Sequence, residues 1–264
     1  FITVDAGRLQ RAKKAGVLQA IDNPTLKRRI PKSLRDRDNY WFGLSQRART
    51  IIYNKNLVNA EDLSTYENLA SPVWKGQLCI RSSDSIYNQS LVASMIEVNG
   101  IKKTESWARN LVSNFARPPT GGDTDLLKAT AAGQCGIALA NTYYLGRLIN
   151  SKNNEEKIAA QNLAVFWPNQ GDGDRGAHVN VSGAGITKYA RNQKEAQVLL
   201  EFLVKDESQK WYAEVNNEYP VVEGAIISKT LKSFGNFKAD STNLTILGVN
   251  NSAAVKLMDR AGWR

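Results

Sequence analysis

The sequence predicts an α/β fold, and three observations carry the prediction. Residues 136–140 are a short, continuously apolar run, as a strand buried on both faces of a parallel sheet would be, and they lead through Asn141-Thr142 into a helical pattern. Residues 77–81 repeat that architecture: a strand-like run, the cluster of N-cap residues 82–85, then a helix reaching about Val98. Further on, residues 192–213 have the rhythm of one long amphipathic helix, with Ala196, Leu199, Leu200, Leu203 and Val204 on one face. At 264 residues the chain can bury a large core and is expected to form two domains or one large one.

Taken in order, residues 1–5 read as a strand that Ala6-Gly7 ends. Residues 8–20 place Leu9, Ala12, Ala15 and Val17 at helical spacing, interrupted by Gly16. Pro24 and Pro31 mark loop. Residues 40–44 and 50–53 are rich in β-formers, with the polar stretch 45–49 between them. Residues 61–69 predict a short helix, which Pro72 closes. A helix is expected over 106–114, and the loop 118–125 runs into another at 124–132. Residues 150–156 form a polar turn, and 163–167 a strand ended by Pro168. The glycine- and aspartate-rich loop 169–176 lacks the acidic residue that an EF-hand calcium loop needs further on. A strand at 178–182, an extended turn at 219–222 and a last helix at 252–261 complete the reading.

Composition narrows the function. Hydrophobic content of 42% and charged content of 23% are those of an ordinary globular chain, and no apolar run approaches the roughly 20 residues of a membrane span. There is no signal peptide and the chain begins at Phe1, so it is expected to be a processed or truncated product. Of the net charge of +10, residues 1–50 carry 12 Lys/Arg against 4 Asp/Glu, a surplus of 8. That basic stretch is neither interleaved with aromatics nor set in a reading motif, so no nucleic-acid partner is expected; it reads as a solvated basic face suited to lie near an anionic membrane. Two cysteines and one histidine fall short of a zinc site. Cys79 and Cys135 read either as free core residues or as one disulfide, which would imply an oxidising compartment.

The chemistry concentrates on tyrosines. Thr142 is a good N-cap, so Tyr143 and Tyr144 would open a helix, about 100° apart, with both phenols able to converge in front of its start. Unpaired backbone N–H groups and the positive end of the helix dipole favour an anion there. A phenol becomes one when a hard trivalent cation such as ferric iron displaces its proton. Tyr87 falls in the first turn of the helix after 77–81, so the two units would bring Tyr87, Tyr143 and Tyr144 to the same edge of one sheet, where ligands bind in open α/β folds. Asp123 and Asp125 read as helix caps before they read as a catalytic pair. His178 reads as a structural histidine before a ligand.

These residues carry a resemblance. The segments 40–50, 80–88, 141–147 and 178–185, and the helix ending Trp211-Tyr212, make the chain similar over essentially its whole length to the type II periplasmic binding proteins of ABC transporters. Within them it resembles the ferric-ion binding proteins, above all the cyanobacterial FutA-type proteins. The resemblance implies two α/β lobes with mixed sheets, residues 1–49 plus 165–264 and residues 50–164. Two crossing strands near 45–52 and 162–167 would join them around a cleft. It implies Fe3+ as the transported ligand, held by the phenolates of Tyr87, Tyr143 and Tyr144, with Arg47 and Arg147 approaching as charge-compensating groups. It implies a monomeric, non-catalytic, periplasmic protein that delivers iron to an inner-membrane ABC transporter permease. The family has a strand and helix before the segment corresponding to Phe1 that supply a further tyrosine or histidine ligand; the N-terminal part of the first lobe is therefore expected to be absent here. Two alternatives stand beside this reading. One is a receptor for an organic anion, a carboxylate or phosphonate clamped by Arg47 and Arg147; the other is an enzyme using a tyrosine as acid and Asp123/Asp125 as base. Cys79 and Cys135 lie at the starts of the two tyrosine units. Neighbouring strands are about 4.8 Å apart, so the pair is expected to form a disulfide tying those units together.

Overall fold

The computed structural model describes residues 1–264. In chain order the strands are β1 (Ile2–Asp5), β2 (Phe42–Asn54), β3 (Leu78–Cys79), β4 (Ile137–Asn141), β5 (Leu163–Phe166), β6 (Val179–Gly185) and β7 (Tyr219–Pro220). The helices are α1 (Ala6–Lys14), α2 (Pro24–Arg29), α3 (Ile86–Val112), α4 (Asp123–Ala131), α5 (Thr142–Ile149), α6 (Asn154–Gln161), α7 (Gln193–Leu203), α8 (Asp206–Trp211), α9 (Lys229–Ser233), α10 (Thr245–Val249) and α11 (Asn251–Arg260).

β2 organises the sheets. Its first half, Phe42 to Ala48, pairs antiparallel with β6, which also pairs with β1, while Ser45 and Gln46 pair with β7. Its second half pairs antiparallel with β4 from Arg49 and with β5 from Ile51. One strand therefore belongs to two sheets. Residues 40–44 and 50–53, separate in the sequence reading, are the two ends of it. The polar stretch between them stays in the ladder because remote residues satisfy it: Ser45 and Ser182 donate to the Glu218 carboxylate, and Arg49 donates to Asn88, Leu139 and Asp123. The expected parallel pairing of 136–140 is met on one side only, by β3; its other neighbour, β2, runs antiparallel, which makes the sheet mixed.

Other departures also have local causes. α1 stops at Lys14 because Gly16 turns left-handed (φ 70°). Residues 61–69 make two 3-10 turns rather than an α-helix. The Tyr66 N–H and C=O there are taken by Asn169 (3.0 Å) and by the Trp107 indole (2.8 Å). α3 breaks at Gly100 (φ 75°) and resumes immediately instead of at 106. The long helix expected over 192–213 divides into α7 and α8. Arg29 caps the Val204 carbonyl (2.8 Å) and Gln209 that of Leu203 (2.8 Å), so the carbonyls are satisfied without continuing the helix. Its expected apolar face is correspondingly split: Leu200 and Val204 are fully buried, whereas Leu199 is 43% exposed.

Cys79 and Cys135 form a disulfide with a Cα–Cα distance of 5.9 Å, tying the entry of β4 to β3. The C-terminal segment reaches back across the molecule: α11 lies along α3, and Trp263 is fully buried against Trp107 and Phe115, donating to the Arg81 carbonyl at 2.9 Å. No helix is long and apolar enough to cross a membrane.

Candidate metal centre

Two helix starts face each other at one end of the second sheet. α3 opens at Ile86, so Tyr87 lies in its first turn. The loop ahead of it is held by α3 itself: Asn88 donates to the carbonyls of Arg81 (2.8 Å) and Ser82 (3.2 Å), and Gln89 to that of Ser83 (2.9 Å). β4 ends at Asn141, which is also the N-cap of α5; Thr142, expected at the cap, is already helical, and its hydroxyl lacks a partner. The shift of one residue leaves Tyr143 and Tyr144 in the first turn, as the sequence required.

The three tyrosines meet. Tyr143 donates its hydroxyl hydrogen bond to Tyr87 at 3.0 Å, and the rings of Tyr143 and Tyr144 lie 4.2 Å apart at 31°. Tyr143 is buried and Tyr144 half-buried. Four guanidinium groups surround them. Arg47, Arg49 and Arg81 lie 5.6, 5.9 and 5.4 Å from the Tyr87 ring, and Arg147, one helical turn past Tyr143, lies 5.0 and 5.5 Å from the rings of Tyr143 and Tyr144. The structure thus brings together every tyrosine and arginine singled out from the sequence and adds Arg49 and Arg81. Arg47 and Arg49 alternate on one strand and so share a face, a period-two signal present in the sequence. Arg81 carries no comparable mark.

Proton affinities diverge within the cluster. Burial pushes Tyr87 up, but hydrogen bonding from Tyr143 and Tyr144 and the Arg47 charge outweigh it and leave Tyr87 below the ordinary tyrosine value. Burial, then the bonds to Tyr144 and Tyr87, drives Tyr143 far above it. Burial also raises Tyr144.

Beside Tyr87 is a small polar cavity of about 10 Å³ lined by Arg47, Arg49, Tyr87, Ser90, Asn141, His178 and Asn180. His178 is buried and held well below its ordinary value by burial and by the charges of Arg175 and Arg49, so it sits there neutral. A larger hollow of about 420 Å³ along α7 and α8 is lined by Phe202, Leu203, Glu207, Ser208, Trp211 and Tyr212; it is mostly apolar, with Glu207 as its one carboxylate. No group of three or more His, Cys, Asp or Glu side chains is placed to hold a metal, so the convergent oxygen donors are the phenols. Asp123 and Asp125 do not form a catalytic pair. Asp125 caps α4 by accepting the Gly122 N–H (2.7 Å), and Asp123 is fully buried beside Arg49 (3.3 Å).

Comparison with known proteins places this arrangement. Over its full 264 residues the chain is 48% identical to iron uptake protein A1 of Synechocystis sp. (strain ATCC 27184 / PCC 6803 / Kazusa), covering 73% of that protein. Its structure superposes on that of Trichodesmium IdiA (FutA) in complex with iron and citrate ligands with a TM-score of 0.96 at 54% identity, over 99% of this chain and 82% of the other. The ferric binding protein from Campylobacter jejuni gives a TM-score of 0.93 at 38% identity, over 98% and 82% respectively. The mixed α/β architecture is that of the periplasmic ferric-binding proteins. The bacterial extracellular solute-binding protein family matches residues 1–238, and the chain belongs to that family.

Proposed function

We propose that the chain binds ferric iron through the phenolates of Tyr87, Tyr143 and Tyr144 and delivers it, as a monomeric periplasmic receptor, to an inner-membrane ABC transporter permease. The observation that carries the reading is the 3.0 Å contact between the hydroxyls of Tyr143 and Tyr87. Neighbouring oxygen donors on an octahedral ion with bonds of about 2.0–2.1 Å stand about 2.9 Å apart. The two phenol oxygens already hold that spacing, and Tyr144 stacks beside them. An ion that displaces the proton of each phenol requires little movement of either helix. Three phenolates balance a trivalent charge, and hard oxygen donors suit a hard cation.

In this reading Arg47 and Arg147 tune charge. Arg47 donates to the Val181 carbonyl at 2.8 Å, and both guanidinium groups face phenol rings, where they offset anionic oxygen from the tyrosines or a further ligand. Residues 1–49 plus 165–264 and residues 50–164 act as the two lobes, hinged on the crossing strands β2 and β5, with α11 reaching from the first onto the second. Support comes from relatives named for iron uptake and ferric binding, and from the iron in the Trichodesmium structure. In this reading the chain is a non-catalytic receptor.

Equilibrium dialysis against ferric iron buffered by a weak chelator tests this. About one iron per chain is expected for the wild type, and a large loss of retained iron for Tyr87→Phe and Tyr143→Phe. A wild-type chain that retains no iron, or Phe variants that retain as much as wild type, would refute it.

A further inference from the structure

Gly146 is an anomaly in the helix that carries the tyrosines. Glycine in a helix interior is disfavoured against alanine, and Gly146 does not have the positive φ that would require it. Its requirement is steric. A Cβ at this position would lie 2.8 Å from both Cβ and Cγ of Asn217 and 3.1 Å from its Oδ1. Asn217 cannot easily yield. It is buried in the left-handed conformation (φ 55°, ψ 34°), and its Oδ1 accepts from Asn150, the C-cap of α5, at 3.0 Å. Asn150 in turn accepts from Thr230 at 3.1 Å. The following residues fasten Asn217 to the first sheet: Glu218 accepts from Ser45 and Ser182, and β7 pairs with β2. The middle and end of the tyrosine helix are thus seated on residues that belong to the other sheet.

We propose that Gly146 and Asn217 are positioning residues for ion binding: the absent Cβ of Gly146 admits Asn217 against α5, and this contact sets how closely the tyrosine helix approaches the opposite sheet and Arg47. The inference rests on the ferric reading above. An added methyl at 146 wedges the two units apart and leaves the tyrosines themselves untouched. Since alanine favours the helix, the variant folds. Asn217→Gly removes the obstructing side chain at a backbone conformation that glycine adopts freely, so it relieves the wedge.

The test uses spin-label distances between Ile158→Cys on α6 and Val215→Cys beside Asn217, both exposed positions, together with ferric release to excess chelator. In the iron-free chain Gly146→Ala lengthens the distance, and Asn217→Gly added to it restores the shorter one. Ferric release from Gly146→Ala is roughly tenfold faster or more, as overpacking of a fixed contact implies, and the double variant recovers a good part of that loss. An unchanged distance overturns the contact; a changed distance with unchanged release overturns its role in ion binding. A wild-type chain that takes no iron sinks the ferric reading and this role with it, while the iron-free distances still judge the contact itself.

Discussion

Arg49→Met is the perturbation whose cost follows most directly from the structure. The Arg49 side chain is 2% exposed and that of its partner Asp123 is fully buried, with 3.3 Å between them. The guanidinium also donates to Asn88 Oδ1 (2.6 Å) and to the Leu139 carbonyl (2.9 Å), so it braces the starts of both tyrosine helices from behind. Methionine fills much of the volume but strands the carboxylate, which costs about 3–5 kcal/mol. Depriving the buried Asn88 oxygen of its donor adds roughly 1–3 kcal/mol. Neighbouring losses do not add fully, so the expected destabilisation is about 4–6 kcal/mol. Asp123→Asn introduced into the same chain removes the stranded charge and is expected to recover about 2 kcal/mol. The assay is equilibrium unfolding in urea with the disulfide intact, followed by tryptophan fluorescence. Arg49→Met within about 1 kcal/mol of wild type would refute the reasoning. So would an Asp123→Asn substitution that makes Arg49→Met less stable still.

Each ligating tyrosine gives up a proton to iron, so affinity for ferric ion should rise with pH, by up to roughly a thousandfold per unit where all three are protonated in the free protein. Tyr143→Phe and Tyr144→Phe should each flatten that slope by about one proton in a chelator competition run at several pH values; an unchanged slope would remove them as ligands. His178, held neutral when folded, takes a proton below about pH 6.5 only on unfolding, so stability should fall with acid by up to about 1.4 kcal/mol per unit from this group. His178→Gln should show a shallower acid limb in unfolding experiments below that pH, and an identical limb would contradict the assignment. Cys79→Ser with Cys135→Ser opens a loop of sequence separation 56, which the chain-entropy model values at about 4 kcal/mol, measured by denaturant unfolding against wild type. A loss under about 1 kcal/mol would show that the bridge does not constrain the unfolded chain.

What was legible in the sequence was local. The two strand–turn–helix units show themselves through apolar runs followed by capping residues, and those signals placed Tyr87, Tyr143 and Tyr144 within a turn of their observed positions. The disulfide followed from where those units begin. What stayed hidden depends on partners far away in the chain. Ser45 to Arg49 does not look like strand because its polar groups are satisfied by Glu218, Asn88 and Asp123. The helix expected over 192–213 divides because Arg29, some 175 residues earlier, takes a carbonyl that the helix would have used. Arg49 could have been read from its period-two spacing with Arg47. Asn217 could not, since only the folded chain sets its left-handed turn against Gly146.

The central claim is that iron is held by phenolate, and an absorption spectrum tests it most directly. One equivalent of ferric iron added to the colourless protein should produce a visible phenolate-to-iron charge-transfer band that saturates at one iron per chain and diminishes in Tyr87→Phe, Tyr143→Phe and Tyr144→Phe. A saturated wild-type protein without a visible band, or a band of equal strength in all three variants, would contradict the account.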